Sequence, residues 1–222
     1  MEYQRALNIS LPKERSLENI SKLKFFEKIS FILDDFISGK ENFFLICSRE
    51  FLTRSYFIKA AFNSYQNNSV YLNLNSFNFK KDPLKLGKKL LFVDGLSKEI
   101  LSDDLELFLF NLFNKCVIDD KKMIISSVSS INELDIKLED LKSRLNTIVP
   151  NELPHSADDE KRELIQLELS LRGLIIKKRE LDYIFHHHSR NLDSLLTLAD
   201  KLDRLSLEKK KSISINLIKD LI

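Results

Sequence analysis

Glycine and proline are both scarce in this sequence, with four of each among 222 residues. So few backbone breakers leave long uninterrupted stretches, which favour an α-rich or α/β domain over an all-β one. No apolar run reaches the length of about eighteen residues that a membrane-spanning helix needs. The N-terminal residues 1–16 also lack the apolar segment of a signal peptide. These absences predict a cytoplasmic protein.

Charge of one sign is not in excess, because the net charge is only +2. A protein that wraps DNA is strongly basic, so any contact with DNA is expected to be weak or indirect. The two cysteines, Cys47 and Cys116, lack the spacing of metal ligands and are expected to be buried thiols. The triplet His186–His188 predicts no metal site, because adjacent helical side chains point about 100° apart.

Apolar runs alternate with amphipathic segments in the first part of the chain. This alternation predicts an α/β fold with a mostly parallel five-stranded sheet flanked by helices. The predicted strands are Phe43–Cys47, Val70–Leu74, Lys89–Asp94, Lys122–Ser127 and Thr147–Val149. The predicted helices are Leu17–Ile37, one from Ser55 to about Gln66, Asp103–Val117 and Ile136–Leu145.

After Pro150 the sequence becomes helical throughout, with expected helices at Ala157–Arg172, Lys177–His187, Asn191–Leu205 and Ile215–Ile222. The sequence thus predicts three parts. An extended N-terminal arm covers residues 1–16, an α/β subdomain covers 17–153, and a small all-α subdomain covers 154–222.

The segment Ser48–Ser55 has the layout of a phosphate-binding loop, because it follows a buried strand and leads into a helix. In the register of G-x-x-x-x-G-K-[ST], Ser48 and Thr53 replace the glycines, and Arg54 replaces the lysine. Only the hydroxyl residue, Ser55, is retained. Glycines let the backbone N–H groups of such a loop approach a phosphate closely. The segment is therefore either a degenerate nucleotide site or an ordinary strand–turn–helix connection.

Three charged residues elsewhere are candidates for phosphate chemistry. Asp94 ends a predicted strand, where an acid can coordinate Mg²⁺ or cap the turn; Gly95 follows it, so no adjacent carboxylate can act as a base. Arg144, in DLKSRL, is either an arginine finger or an ion-pair partner of Asp140 or Glu139. Arg190 either faces a nucleotide or is a solvated arginine at a helix start.

The order of these segments resembles a known family. The degenerate loop, VDGL, DLKSRL and the C-terminal run RGL…HSRNLDSLL…LDRLSL…SISINLIKDLI are similar to the AAA+ module of the bacterial initiator DnaA, and above all to its short Hda-type homologues. The resemblance extends from about Leu17 to Ile222. It implies an AAA+ fold of the P-loop type followed by a helical lid.

The resemblance also implies roles for individual residues. Arg144 matches the arginine finger, Asp94 the acid of the Walker B strand, and Arg190 the second sensor. The implied cofactor is ADP, without a structural metal, although Phe51 and Thr53 bring bulk where that site has glycine. The residues implied to bind this cofactor are Ser48, Arg49, Thr53, Arg54, Ser55, Asp94 and Arg190.

The N-terminal ALNISLP resembles the peptide with which this family binds the sliding clamp, the β subunit of DNA polymerase III. Leu7, Ile9 and Leu11 fit the alternating apolar pattern, whereas Ala6 stands where glutamine is expected, and Gln4 lies two residues earlier. The alternative is an arm packed on its own domain. No helix-turn-helix DNA-binding domain follows the helical part, so origin recognition is not expected.

The function implied by this resemblance is negative regulation of chromosomal replication initiation in a bacterial, nucleoid-associated protein. The chain would bind ATP-DnaA with the DNA-loaded clamp and promote hydrolysis of the DnaA-bound ATP through Arg144. It would not be an enzyme by itself. Two alternatives remain open, a weak autonomous AAA+ nucleotide hydrolase and a non-catalytic adaptor for DnaA or the clamp. Homo-oligomerisation is also left open.

Overall fold

The computed structural model describes residues 15–76, 87–153 and 156–222. The chain divides into two compact units. One spans Ser16–His155, and the other comprises Ser156–Ile222 together with Arg15. The predicted arm up to Glu14, and part of the predicted loop between the second and third strands, lie outside the described residues.

The first unit is built on a five-stranded sheet in the order β2-β3-β4-β1-β5, and all four strand pairings are parallel. This arrangement confirms the predicted fold class. The strands are β1 (Phe43–Cys47), β2 (Ser69–Asn73), β3 (Leu90–Leu96), β4 (Lys122–Ser127) and β5 (Pro150–Glu152).

The described residues of this unit form five α-helices: α1 (Leu17–Ile20), α2 (Lys24–Ser38), α3 (Phe51–Tyr65), α4 (Asp103–Ile118) and α5 (Glu139–Asn146). Serine side chains cap two of them, because Ser16 accepts a hydrogen bond from the backbone N–H of Asn19, and Ser102 from that of Leu105. Gly39 follows α2 as its C-cap residue, and its N–H donates to the carbonyls of Asp35 and Phe36.

Alternate residues of the strands face opposite sides of the sheet, and helices cover both sides. On one side, residues of β1, β3 and β4 share a buried cluster with α4 and α5, which includes Leu45, Val93, Leu109 and Leu141. On the other side, α2 and α3 pack on the sheet. The rings of Phe36 and Phe44 are 5.1 Å apart, and those of Phe62 and Phe92 are 5.9 Å apart.

The fifth strand begins three residues later than predicted. Thr147 is still part of the turn that ends α5, because its N–H donates to the carbonyl of Arg144, and Val149 is exposed. Pairing with β1 starts only at Pro150, which lies opposite Leu45. A proline without an N–H is tolerated at the first residue of an edge strand, and this position meets that condition.

The third strand carries a bulge next to Asp94. The strand continues through Gly95 to Leu96 rather than ending at Asp94, and its register with β4 shifts between Val93 and Leu96. Gly95 has φ +98°, a conformation that residues with a side chain rarely adopt, and its N–H donates to Ser126 Oγ at 2.9 Å. The bulge thus sets the side chain of Asp94 beside β4.

The second unit is helical, with α6 (Asp158–Leu171), α7 (Lys178–His187), α8 (Leu192–Lys209) and α9 (Ile215–Lys219). Its buried carboxylate, Glu168, accepts two hydrogen bonds of 2.9 Å from Arg15 and one of 3.2 Å from Arg172. Arg172 also lies 2.5 Å from Asp200. This network fixes Arg15, where the described part of the chain begins, on the helical unit. No helix among the described residues has the length and apolar character to cross a membrane.

We expect both cysteines to resist thiol reagents in the native protein. Burial raises the pKa of Cys47 to about 11 and that of Cys116 to about 12, so both thiols are protonated at pH 8. Maleimide at pH 8 should label neither residue until urea unfolds the chain, as mass spectrometry would show. A Ser212→Cys variant, at an exposed position, serves as the control that labels at once. Rapid native labelling of Cys47 or Cys116 would contradict the buried assignment.

Candidate functional site

The connection between β1 and α3 is much shorter than the predicted eight-residue loop. Only Ser48–Glu50 separate the two elements, so the prediction that Ser55 opens the helix is wrong. The N–H of Arg54 already donates to the carbonyl of Glu50 at 3.2 Å, and Thr53 Oγ1 donates to Glu50 Oε2 at 2.8 Å. Because no glycine favours an open loop here, the residues from Phe51 onwards follow the helix.

Asp94 is the centre of a buried cluster of hydroxyl groups. Its carboxylate is 3% exposed. Oδ2 accepts hydrogen bonds from Ser55 Oγ at 3.0 Å and from Tyr71 Oη at 2.5 Å, while Oδ1 accepts one from Ser126 Oγ. Burial, and secondly the charge of Asp94, raise the pKa of Tyr71, so its hydroxyl stays a donor. Three hydroxyl donors therefore occupy both oxygens of this acid.

Arg54 contributes a positive charge beside the cluster. Its side chain is fully buried, and Nη1 donates to the carbonyl oxygen of Ser48 at 2.9 Å. Burial lowers the pKa of this guanidinium, and the nearby Asp94 carboxylate is the largest influence that opposes the shift. An arginine remains protonated in proteins even so, and Asp94 therefore balances a permanent cation.

The structure thus brings together four of the predicted cofactor-binding residues, Ser48, Arg54, Ser55 and Asp94, whereas the hydroxyl of Thr53 donates to Glu50. Sequence reasoning missed Tyr71 and Ser126, which complete the cluster. A signal for Ser126 was present, because two serines end an apolar strand that is parallel to the strand of Asp94. Tyr71 gave no such signal, since a tyrosine in a half-buried strand is ordinary.

Arg49 lies outside the cluster, contrary to the implied role in cofactor binding. It is exposed, and its Nη2 is 3.4 Å from Glu133 Oε1. A surface pair of this kind contributes little, typically less than about 1 kcal/mol.

These contacts do not fit a magnesium nucleotide. The Ser55 hydroxyl and the Asp94 carboxylate are the groups that would approach the metal, and in this structure they are bonded to each other and to Tyr71 and Ser126. The guanidinium of Arg54 is directed at the loop's own carbonyl instead of an open phosphate position. No group of three or more His, Cys, Asp or Glu side chains in the described chain could hold a metal ion.

Arg144 lies on α5 and is only partly buried. Its guanidinium carbon is 5.1 Å from the centre of the Phe110 ring on α4, within the range of a cation–π contact. Neither Asp140 nor Glu139, the alternative partners considered from the sequence, forms an ion pair with it among the described contacts. The positive charge of Arg144 is thus supported by a ring and not neutralised by an acid.

Glu106 on α4 fixes the start of the helix that carries Arg144. This buried carboxylate accepts the backbone N–H groups of Lys137, at 3.1 Å, and Leu138, at 2.7 Å. The two residues therefore stay extended, and α5 begins at Glu139 and not at the predicted Ile136. Buried Leu141 anchors the other side of α5 to the core.

Arg190 belongs to the helical unit, where Nη1 lies 2.7 Å from Asp158 Oδ2 and Nε donates to the carbonyl of Phe185 at 3.1 Å. It therefore has partners within its own unit. The implied clamp-binding residues Gln4, Leu7, Ile9 and Leu11 lie outside the described residues.

We expect Arg54 and Asp94 to be energetically coupled. Arg54→Met or Asp94→Asn should each cost about 3–5 kcal/mol of unfolding free energy, because each leaves one buried charge without its counter-charge. The double variant should cost clearly less than the sum, by about 1–3 kcal/mol. Urea denaturation of the four proteins measures this cycle. Strictly additive losses would contradict the coupling.

Comparison with known proteins agrees with this geometry. Residues 158–222 match the family model described as Hda, lid domain. An uncharacterized protein of Haemophilus influenzae is 26% identical over 190 residues, which cover 82% of each chain. Domain III of the Thermotoga maritima replication initiation protein DnaA has a similar structure, with 17% identity and a TM-score of 0.72 over 94% of this chain and 97% of that chain.

AMPPCP-bound DnaA from Aquifex aeolicus is also similar, with 18% identity and a TM-score of 0.67 over 91% of this chain and 68% of that chain. At these identities the solved structures establish the fold, and the family model establishes the type of the C-terminal unit. They agree with the resemblance seen in the sequence: the chain has the fold of domain III of DnaA, and its residues 158–222 match the Hda lid domain.

Proposed function

We propose that this protein is a negative regulator of replication initiation that binds ATP-bound DnaA and supplies Arg144 to the triphosphate held by DnaA. The observation that carries the proposal is the state of Arg144, a partly exposed guanidinium that rests on Phe110 without an acidic partner among the described contacts. Its charge is available to a phosphate group of another molecule.

The different surroundings of Arg54 and Arg144 favour the delivery of Arg144 to a nucleotide on another molecule. The guanidinium of Arg54 is buried and balanced by Asp94, so it cannot serve a phosphate without breaking its own contacts. Arg144 makes no ion pair among the described contacts that it would have to break to reach a phosphate. An arginine finger stabilises the charge that develops on a transferred phosphoryl group, and it needs no nucleotide on the subunit that provides it.

The DNA-loaded sliding clamp is the proposed platform for this encounter. The support is the ALNISLP segment, in which Leu7, Ile9 and Leu11 have the alternation of the family's clamp peptide. Arg15 ties the chain just after this segment to Glu168 of the lid unit. Contact with DNA is then indirect, through the clamp.

We expect Arg144→Ala to abolish stimulation of DnaA-bound ATP hydrolysis without unfolding the protein. An arginine finger contributes about 10³-fold or more to hydrolysis, and Arg144 makes no ion pair among the described contacts whose loss would destabilise α5. The measurement is the rate of DnaA-bound ATP hydrolysis with this protein, clamp and DNA present.

Lys142→Ala is the matched control, because it removes a positive charge from the same helix without touching Phe110. It should retain stimulation. Unchanged stimulation by Arg144→Ala would remove this residue from the mechanism, and absence of stimulation by the unmodified protein, despite binding to DnaA, would favour the adaptor alternative. Turnover of Mg-ATP by the purified chain alone would favour the hydrolase alternative.

We expect Phe110 to act as a positioning residue for Arg144. Phe110→Leu removes the ring and should lower the stimulated hydrolysis rate about two- to fivefold, which corresponds to about 0.5–1 kcal/mol for a cation–π contact at an exposed site. Phe110→Tyr keeps the ring and should restore the rate. Binding to DnaA should be equal for both variants, as a pull-down would show. If Tyr and Leu were equally impaired, the ring would have no role in placing the guanidinium.

A further inference from the structure

Two backbone N–H groups of the phosphate loop are already bonded within the chain. An anion site at a helix N-terminus needs backbone N–H groups that converge on the ligand. Here the N–H of Ser48 donates to the carbonyl of Ser127 at 3.1 Å, and the N–H of Glu50 donates to Ser48 Oγ at 3.2 Å. These two donors of the three-residue loop are therefore directed at the protein itself.

The chemistry expected of a bound metal is also replaced by groups of the chain. A magnesium ion would be held by the hydroxyl of Ser55 and, directly or through water, by the carboxylate of Asp94. In this structure Ser55 Oγ donates straight to Asp94 Oδ2 at 3.0 Å. Ser126 links Asp94 to the bulge, since Ser126 Oγ also accepts the N–H of Gly95 at 2.9 Å.

Arg54 occupies the position that a phosphate group would need. Its guanidinium supplies a positive charge to Asp94 and a donor to the carbonyl of Ser48, and it is fully buried while doing so. A phosphate could enter only if this side chain left its burial site and gave up the hydrogen bond. The cation that would otherwise attract a phosphate is already balanced by Asp94.

We infer that Arg54, Ser55, Tyr71 and Ser126 together replace a magnesium nucleotide around Asp94, so that the first unit folds with its phosphate loop closed and binds no ADP or ATP. The loop is then a structural element. The folded state of the unit is independent of nucleotide concentration, unlike that of a protein whose native state is stabilised by a ligand.

The test is nucleotide binding by the full-length purified chain. Fluorescent ADP and ATP analogues with Mg²⁺ should show no saturable binding up to millimolar concentration, and the thermal midpoint should not move when Mg-ADP is added. DnaA in the same assay is the positive control for the reagents. The measurement involves neither hydrolysis nor DnaA stimulation, so its outcome is separate from that of the proposed function.

Saturable binding with a micromolar dissociation constant that disappears in Ser55→Ala would overturn the inference, because Ser55 belongs to the closed cluster. Ser55→Ala loses one hydrogen bond and should remain folded, as its circular dichroism spectrum would show. Saturable binding that is equal in Ser55→Ala and the unmodified protein would place the nucleotide outside the Ser55 cluster and would also contradict the inference that no ADP or ATP is bound. A rise in thermal midpoint with Mg-ADP that Ser55→Ala abolishes would likewise overturn it.

Discussion

The buried charge of Arg54 is the constraint on which the carboxyl edge of the sheet depends. A guanidinium with no exposed surface is costly, and two groups offset part of that cost: the negative charge of Asp94 opposes the effect of burial on its pKa, and the carbonyl of Ser48 accepts a hydrogen bond from Nη1. Asp94 in turn needs donors for both oxygens, which explains why Ser126 and Tyr71 converge on it from the two strands that flank β3. The connection Ser48–Glu50 is short because the carbonyl of Ser48 must lie within hydrogen-bonding distance of Arg54 Nη1.

The two arginines assigned to phosphate chemistry from the sequence differ in what their surroundings leave available. Arg54 is desolvated and bonded to its own loop, whereas Arg144 is partly exposed and lies over Phe110. Desolvation makes a charge pair strong but costly to separate, and a cation–π contact holds a guanidinium while leaving its N–H groups free to donate. The fold therefore buries the guanidinium of Arg54 among its own groups and leaves that of Arg144 partly exposed.

The sequence predicted the architecture well because the strands are short, apolar and bounded by polar residues. Phe43–Cys47 and Lys122–Ser127 agree with the structure to the residue. The predicted boundaries were wrong at two elements, where a distant side chain or a missing N–H determines the backbone conformation. The carboxylate of Glu106 keeps Lys137 and Leu138 extended, so α5 begins later than predicted. Pro150 has no N–H, and β5 begins only at this residue. At the site, the pattern of residues along the chain was enough to predict that Arg54, Ser55 and Asp94 lie together. It could not predict Tyr71, since a hydroxyl donor from another strand leaves no local sequence pattern.

The hydrogen bonds around Asp94 are expected to be cooperative. This cooperativity bears on the role of a phosphate loop that lacks its glycines. Removing one hydroxyl takes a hydrogen-bond donor away from an oxygen of Asp94. Removing the carboxylate of Asp94 leaves the buried guanidinium of Arg54 without a counter-charge. The groups that would take part in nucleotide chemistry are thus committed to holding β1, β2, β3, β4 and α3 together at one edge of the sheet. A cluster that bonds to itself does not require glycine, because its backbone need not approach a ligand closely. Among the described contacts Arg144 has no acidic partner, and under the proposed function this side chain of α5, and not the loop, is the one that acts on a phosphate.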